Sequence, residues 1–274
     1  MIGTERKFNR IIAFSIIIIF SFSSLAPLYF MLAGSLQNVG LSGPLEAFPS
    51  SLSLQSYKMI FSSSPMIRYV FNSIIVGLAV VIGNVIFSVL VGYGFARYRF
   101  RAREFWFASA LVVMMIPPHV IIIPLYKLIN ALGWYNSYAA LIIPWLVNPF
   151  GIFLMRQYIL SLPTEIEDAA RVDGASDLYI VFKIVMPLAK PALAVLAFQS
   201  FLTNWNSFLF PFILTSSDSM RTLPVALALL KGYQAIDWPQ LLAASTISTL
   251  PVLILFLIFQ RQIISGITAG ALKS

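Results

Sequence analysis

Six stretches of this 274-residue chain, roughly 11–34, 69–96, 105–128, 138–158, 184–212 and 239–260, are predominantly apolar, and none contains Asp or Glu. About 20 apolar residues of helix cross the hydrocarbon core of a bilayer. The chain is 59% hydrophobic and 10% charged, with a mean hydropathy of +0.88. Soluble domains are nearer about half apolar and about a quarter charged. A soluble fold could not hide this much apolar surface, and disordered or collagen-like structure is excluded by the same composition. Inside hydrocarbon the backbone must bond within its own segment, and the period-2 alternation of a membrane barrel is missing. The expected fold class is therefore an all-α membrane protein with six transmembrane helices. The first stretch begins with Arg6, Lys7 and Arg10 and contains Ser24-Leu25-Ala26, which partly fits a signal peptide. Its apolar character continues through Met31, Leu32 and Ala33, so an uncleaved span is expected.

The net charge of +8 is distributed unevenly. With the N-terminus inside, 13 of the 18 basic residues fall on the cytoplasmic side, leaving Lys58, Arg68, Lys127, Arg221 and Lys231 outside. Cytoplasmic segments of membrane proteins carry such an excess, so both termini are expected in the cytoplasm. The run from Arg97 to Arg103 reads as a topology anchor. Nucleic-acid binding would need a larger basic face with interleaved aromatics, and no nucleic-acid partner is expected. The outer segment 35–68 is too short to be a domain. With no visible internal repeat, the inverted-repeat carrier plan has little support. One transmembrane domain, 1–274, is expected, with a cytoplasmic loop at 159–183 and a cytoplasmic tail at 261–274.

The chain lacks the residues for most chemistry. It has no cysteine, hence no disulfide, thiol catalysis or cysteine-metal site. No stretch matches the phosphate-cradling pattern G-x-x-x-x-G-K-[ST]. Gly92-Tyr93-Gly94 opens like a dinucleotide fingerprint, but Arg97 stands where the third glycine belongs. His119 is the single histidine and follows Pro117-Pro118 at an expected helix break, which suits a structural or pore-lining role better than catalysis. No catalytic residue, metal site or cofactor of its own is expected. Spans without acids also disfavour proton coupling, while sodium coupling through carbonyls and hydroxyls stays open.

Polarity collects in the fifth stretch. At about 100° per residue, Gln199, Ser200, Thr203, Asn204, Asn206 and Ser207 share an arc of roughly 160°, with Trp205 opposite. A polar translocation route and interhelical hydrogen bonding both fit. Six amides and hydroxyls exceed what gluing helices needs, which favours a route for an uncharged, hydroxyl-rich solute. Asn72, Asn84 and Asn148 could face that route or bond to a neighbouring helix. In the second stretch, Ala79-x-x-x-Gly83 and Ser88-x-x-x-Gly92-x-x-x-Ala96 read as close-packing motifs.

Between the fourth and fifth stretches lies TEIEDAARVDGAS, residues 164–176. Thr164 with Glu167 reads as a capping box that starts a short helix. Asp173-Gly174 ends it with a left-handed cap, and Ser176 can begin a second helix. Ile166, Ala169, Ala170 and Asp173 share one face, thin enough to enter a partner's groove. A plain connection between spans and a docking helix both fit these residues.

The stretch EIEDAARVDGASDLYIVFKIVMPLAKP, 165–191, resembles the loop signature of binding-protein-dependent ABC importer permeases: Glu-Ala-Ala, three residues, glycine, then a closing Ile-x-x-Pro. Asp168-Ala169-Ala170 stands for Glu-Ala-Ala, with an acid one methylene shorter. Gly174, Ile184 and Pro187 match the remainder. FQRQIISGITAGALKS, 259–274, and NWNSFLFPFIL, 204–214, are similar to the carbohydrate (maltose-type) subfamily, MalG-like branch, and the resemblance extends over nearly the whole chain. It implies a type I ABC importer permease fold in a bacterial or archaeal inner membrane and pairing with a second homologous permease. It further implies two cytoplasmic ATPase subunits that hold ATP and Mg, an external solute-binding protein and a carbohydrate substrate. Carried over residue by residue, Glu167, Asp168, Ala169, Ala170, Asp173, Gly174 and Ala175 would couple to the ATPase, and Gly266, Thr268, Ala269 and Gly270 would form an ATPase-contacting tail. Asn84, Asn148, Gln199, Thr203, Asn204, Asn206 and Ser207 are the candidate pathway residues. The competing expectation is a self-sufficient channel or secondary carrier, which would leave the loop and tail unexplained.

Overall fold

A computed structural model describes residues 2–39, 44–230 and 237–271, with side chains described over 10–39, 44–230 and 237–262. All regular structure among the described residues is helical. In chain order the helices are α1 (Ile2–Ser35), α2 (Gln55–Ser63), α3 (Met66–Arg97), α4 (Arg103–Val113), α5 (Ile122–Ala131), α6 (Tyr138–Ile142) and α7 (Pro149–Leu160). There follow α8 (Glu165–Val172), α9 (Asp177–Tyr179), α10 (Met186–Leu188), α11 (Lys190–Trp205), α12 (Leu209–Leu214), α13 (Leu223–Leu230) and α14 (Trp238–Ala271). Short 3₁₀ turns occupy Pro118–Ile121 and Ile143–Trp145, and a π-helical stretch occupies Ile180–Val185.

Among the described residues, four segments are long and apolar enough to cross a membrane: Arg10–Ser35, Met66–Arg97, Tyr138–Leu160 and Trp238–Gln262. Two bent pairs raise the number to six if each counts as one span. They are Arg103–Val113 with Pro118–Ala131, bent by 88°, and Asp177–Leu188 with Lys190–Trp205, bent by 85°. The stretches 105–128 and 184–212 are therefore not straight helices, and 138–160 is interrupted between Leu146 and Asn148. Proline is the physical cause. It lacks an N–H and drives the preceding residue out of the helical region. Pro117 is extended at φ −60°, ψ 125° ahead of Pro118, and Asn148 is extended at φ −121°, ψ 118° ahead of Pro149. The 85° bend falls at Ala189, two residues before Pro191.

The chain forms two compact units, Met1–Met66 with Leu227–Leu250, and Ile67–Ala226 with Pro251–Ser274. In the first, the loop after α1 is held by polar contacts. The Gln37 amide donates to the Glu46 carbonyl at 2.7 Å and accepts from the Glu46 N–H at 2.9 Å. Ser35 Oγ and Tyr57 Oη lie 2.8 Å apart, which ties α2 to the end of α1. A Cβ at Gly34 would run into the Leu242 side chain, so α1 and α14 approach closely there.

Among the described residues the second unit holds two apolar centres that frame the site. One joins Val89, Tyr93 and Ala96 of α3 to Met155 and Ile159 of α7, to Ile180, Val181 and Val185 of the π-helical stretch, and to Leu196 of α11. The other joins Val76 and Val80 to Ile129, Leu141, Phe210 and Leu214. The expected packing motif of α3 is realised. A Cβ at Gly92 would stand 2.8 Å from Met155 Cβ and 3.0 Å from the Arg156 backbone nitrogen, so α7 backbone occupies the space of a side chain. Gly94 has open space. Replacing Gly92 with alanine should lower stability by about 1–3 kcal/mol through overpacking. Gly94→Ala should not destabilise, because alanine is the better helix former. Thermal unfolding of the detergent-solubilised protein distinguishes the two. Equal melting temperatures for both variants would refute the close α3–α7 approach.

Candidate functional site

The loop helix α8 has eight residues, too few to be stable alone, so its position must come from tertiary contacts. Its N-terminus is not the expected capping box. Thr164 already has helical dihedrals, φ −75° and ψ −23°, and its side chain caps nothing. Glu167 is drawn inward instead. Its residue is 2% exposed, and Oε1 accepts from Arg97 Nε and Nη2, each at 2.8 Å. Its Oε2 accepts from the Tyr93 hydroxyl at 2.9 Å. Arg97 Nη2 also donates to the Leu162 carbonyl at 3.0 Å, which fastens the chain leading into α8. Charge-assisted bonds of this kind are roughly twice as strong as a neutral cap, which is why the carboxylate abandons the helix N-terminus.

A second arginine extends the cluster. Arg171 donates to the Tyr93 hydroxyl and to Asp168 Oδ1, each at 3.0 Å, and lies 3.6 Å from Asp177 Oδ1. The neighbouring Asp177 carboxylate, aided by burial, pushes the Tyr98 phenol above its usual pKa. The run at 97–103 is thus more than a topology anchor. Arg97 is committed to Glu167, and Arg103 pairs with Glu104, which also receives Arg156 at 3.1 Å. Arg97 and Tyr93 were invisible as site residues in the sequence. The one available signal was that Glu167, Ala170, Arg171 and Gly174 share a helix face.

The C-terminus of α8 follows the expected form. Gly174 has φ +83°. Its N–H reaches the Arg171 carbonyl at 3.0 Å, and the Ala175 N–H reaches the Ala170 carbonyl at 2.9 Å, the paired bonds of a Schellman cap. Ser176 caps α9, its Oγ accepting from the Tyr179 N–H at 3.3 Å. Of the candidate coupling residues, Asp168, Ala169, Asp173 and Gly174 are exposed, as is Ile166 beside them. Ala170 and Ala175 are half-buried against the α3–α7 centre. Ala170, Asp173, Gly174, Ala175, Tyr179 and Ile184 border an open concavity. The tail candidates Gly266, Thr268, Ala269 and Gly270 fall where α14 is helical but their side chains lie outside the described residues.

Among the candidate pathway residues, Thr203, Asn204, Asn206 and Ser207 meet on a cavity of about 480 Å³. Three helix interruptions converge there: Pro118 and His119 before α5, Trp145 before α7, and Asn206 to Phe208 between α11 and α12. Irregular backbone at membrane depth is tolerated where it lines a cavity or is buried in protein. Trp205 is 2% exposed and stacked on Phe201, with ring centroids 5.3 Å apart, away from the polar arc. Gln199, Asn84 and Asn148 do not line this cavity. Asn84 donates to the Trp145 carbonyl at 2.8 Å, an interhelical bond, and Asn148 caps α7 by accepting from the Phe150 N–H at 3.0 Å. Asn72 also serves the fold, donating to the carbonyls of Ser219 and Arg221 at 2.9 and 2.8 Å.

Removing the Glu167 charge strands a buried guanidinium. Glu167→Gln should cost about 3–5 kcal/mol, and the double replacement Glu167→Leu with Arg97→Met should recover most of it. Melting temperatures together with hydrogen exchange at the α8 amides measure both effects. Wild-type protection of α8 in Glu167→Gln would show that the pair does not hold the helix.

Residues 84–269 match the family described as binding-protein-dependent transport system inner membrane component. The chain is 37% identical over 256 residues to the arabinooligosaccharides transport system permease protein AraQ of Bacillus subtilis, covering 91% of this chain and 90% of AraQ. It is 36% identical over 238 residues to the trehalose/maltose transport system permease protein MalG of Thermococcus litoralis, covering 85% of each. A chain from the crystal structure of a bacterial ABC transporter involved in the import of the acidic polysaccharide alginate superposes with a TM-score of 0.81 at 25% identity, covering 94% of this chain and 97% of that one. With its helical spans and its loop helix carried on the α3–α7 core, this chain belongs to the binding-protein-dependent ABC importer permeases, multi-pass components of the inner membrane.

Proposed function

We propose that this permease imports a neutral carbohydrate, whether sugar, oligosaccharide, polyol or glycoside, and that α8 is the element on which ATPase closure acts. The observation that carries the reading is the division of α8 into two faces. Glu167 and Ala170 lock one side to α3 and the α3–α7 core, while Asp168, Ala169 and Asp173 are exposed on the other. A helix built so can receive a push and pass it on as a rigid body. The permease works beside a second homologous permease subunit, with two cytoplasmic ATPase subunits that bind and hydrolyse ATP with Mg, and an external solute-binding protein. Asp168, Ala169, Asp173 and Gly174 seat in the ATPase. Glu167, Ala170 and Ala175 hold the seat in place, and Gly266, Thr268, Ala269 and Gly270 reach the same partner from the tail. Both chain ends lie in the cytoplasm.

The carbohydrate reading draws on the sugars in the relatives' names and on the chemistry of the cavity. Thr203, Asn204, Asn206 and Ser207 supply donors and acceptors without charge, and among the described residues no Lys, Arg, Asp or Glu lines the cavity. An anionic solute would find no counter-ion there.

Purification of the tagged chain in mild detergent should recover a second permease and an ATPase, identified by mass spectrometry. Recovery of the chain alone, with no ATPase found by cross-linking in the native membrane, would overturn the assembly. Gly174→Asp and Ala169→Arg should insert normally and retain no more than about a tenth of wild-type uptake. The first places a side chain at positive φ, at a cost of about 1–2 kcal/mol, and the second adds a cation to the docking face. Wild-type uptake by both variants would remove the coupling role from α8.

A further inference from the structure

The cavity has a second wall that the polar arc of α11 did not announce. Trp145 and Phe210 meet edge to face with ring centroids 4.5 Å apart, and the His119 ring stacks on Phe210 at 6.1 Å and 20°. The three side chains come from three separate helix interruptions or their edges, and all line the cavity. The polar part is also larger than the arc. Ser73 of α3 and Thr222 line the cavity, and each is 4% exposed. Ser73 Oγ accepts from the Leu223 N–H at 2.8 Å, which leaves its own hydroxyl hydrogen free to donate. Thr222 Oγ1 is buried and has no hydrogen-bond partner among the described residues. A buried hydroxyl without a partner costs stability, so its presence on a cavity wall calls for a ligand atom.

An aromatic wall joined to uncharged donors and acceptors suits a particular solute. A saccharide ring presents C–H groups on its face and hydroxyls around its edge. Its face can lie against Trp145 and Phe210 while its hydroxyls reach Thr222, Ser73 and Asn204. An ion would find no opposite charge, and a purely apolar solute would strand the polar wall. The volume of about 480 Å³ lies within the range of small-molecule sites, about 300–1,000 Å³.

We propose that this chain itself holds a ring of the transported neutral saccharide, with Trp145 and Phe210 as the stacking wall and Thr222, Ser73 and Asn204 as the hydroxyl contacts. The proposal rests on the carbohydrate reading above and adds that specificity is written in this subunit rather than only in its permease partner.

The test uses the assembled importer. Uptake of maltotriose, arabinotriose and raffinose into proteoliposomes, with ATP and the binding protein, identifies the best-transported sugar of the three. Equilibrium binding of that radiolabelled sugar, and of trigalacturonate as the anionic counterpart, is then measured on the detergent-solubilised complex without binding protein. Wild type should bind the neutral sugar and not trigalacturonate. Trp145→Ala should weaken binding by about tenfold or more, and Trp145→Phe should restore it to within about threefold, because the stacking surface returns. Thr222→Val should weaken binding by about fivefold, the worth of one hydrogen bond, without lowering the melting temperature, because the hydroxyl it removes has no partner among the described residues. Unchanged binding in both Trp145→Ala and Thr222→Val would overturn the subsite, as would binding of trigalacturonate as tight as that of the neutral sugar. Uptake of a neutral sugar by a wild-type complex that shows no binding would also overturn it while sparing the carbohydrate reading. Absence of uptake for all three sugars would overturn both.

Discussion

A carboxylate withdrawn from water must find a cation, and Glu167 finds Arg97 across 70 residues of sequence. The pair fixes where α8 sits. An eight-residue helix gains too little from its own hydrogen bonds to persist alone. The Schellman cap at Gly174 stops it cleanly, and the half-buried Ala170 settles on the α3–α7 core. The ion pair then prevents the helix from rotating about its axis, because rotation would leave both charges buried and unmatched. Such pairs add little net stability over apolar replacements, and their contribution lies in orientation. Orientation is what an element proposed to receive force from a partner needs.

The other organising constraint is the placement of proline. Three of the expected spans are interrupted, and each interruption carries a proline in or just after it: Pro117-Pro118, Pro149 and Pro191. A further break separates α11 from α12 at Asn206 to Phe208. In hydrocarbon an interruption exposes backbone groups that lipid cannot satisfy. From these interruptions Pro118 and His119, Trp145, and Asn206 to Phe208 line one cavity. The same breaks that let the helices bend therefore supply the amides, hydroxyls and rings of the cavity wall.

Local features of the sequence translated directly into structure. The spans followed from apolar length. The stop at Gly174 and the cap at Ser176 followed from residue type, and the close approach at Gly92 followed from small residues at four-residue spacing. The expected capping box failed because of partners distant in sequence. Thr164 and Glu167 have the spacing of a capping box, but Arg97 and Tyr93 compete for the carboxylate, and no periodicity reveals a competitor 70 residues away. Asn84 and Asn148 look like pathway residues by polarity alone. One became an interhelical bond and the other a helix cap, because each had a backbone group within reach. The aromatic wall was hidden for a related reason. Trp145 and Phe210 read as ordinary apolar residues until the bends bring them to the polar arc.

The loop helix and the cavity are linked by α3. It is 32 residues long and contains no proline, unlike α1 with Pro27 and α14 with Pro251. Near its C-terminal end Tyr93 and Arg97 grip Glu167, and near its N-terminal end Ser73 and Val76 line the cavity. Twenty-four residues of helix separate Ser73 from Arg97, about 36 Å at 1.5 Å per residue. An unbroken helix carries displacement along its axis without absorbing it, whereas a proline-broken helix bends. With the coupling role proposed for α8, a push on it would reach the Ser73 wall through α3. On the proposed reading, docking at one end of α3 changes the shape of the solute cavity at the other without any hinge within that helix.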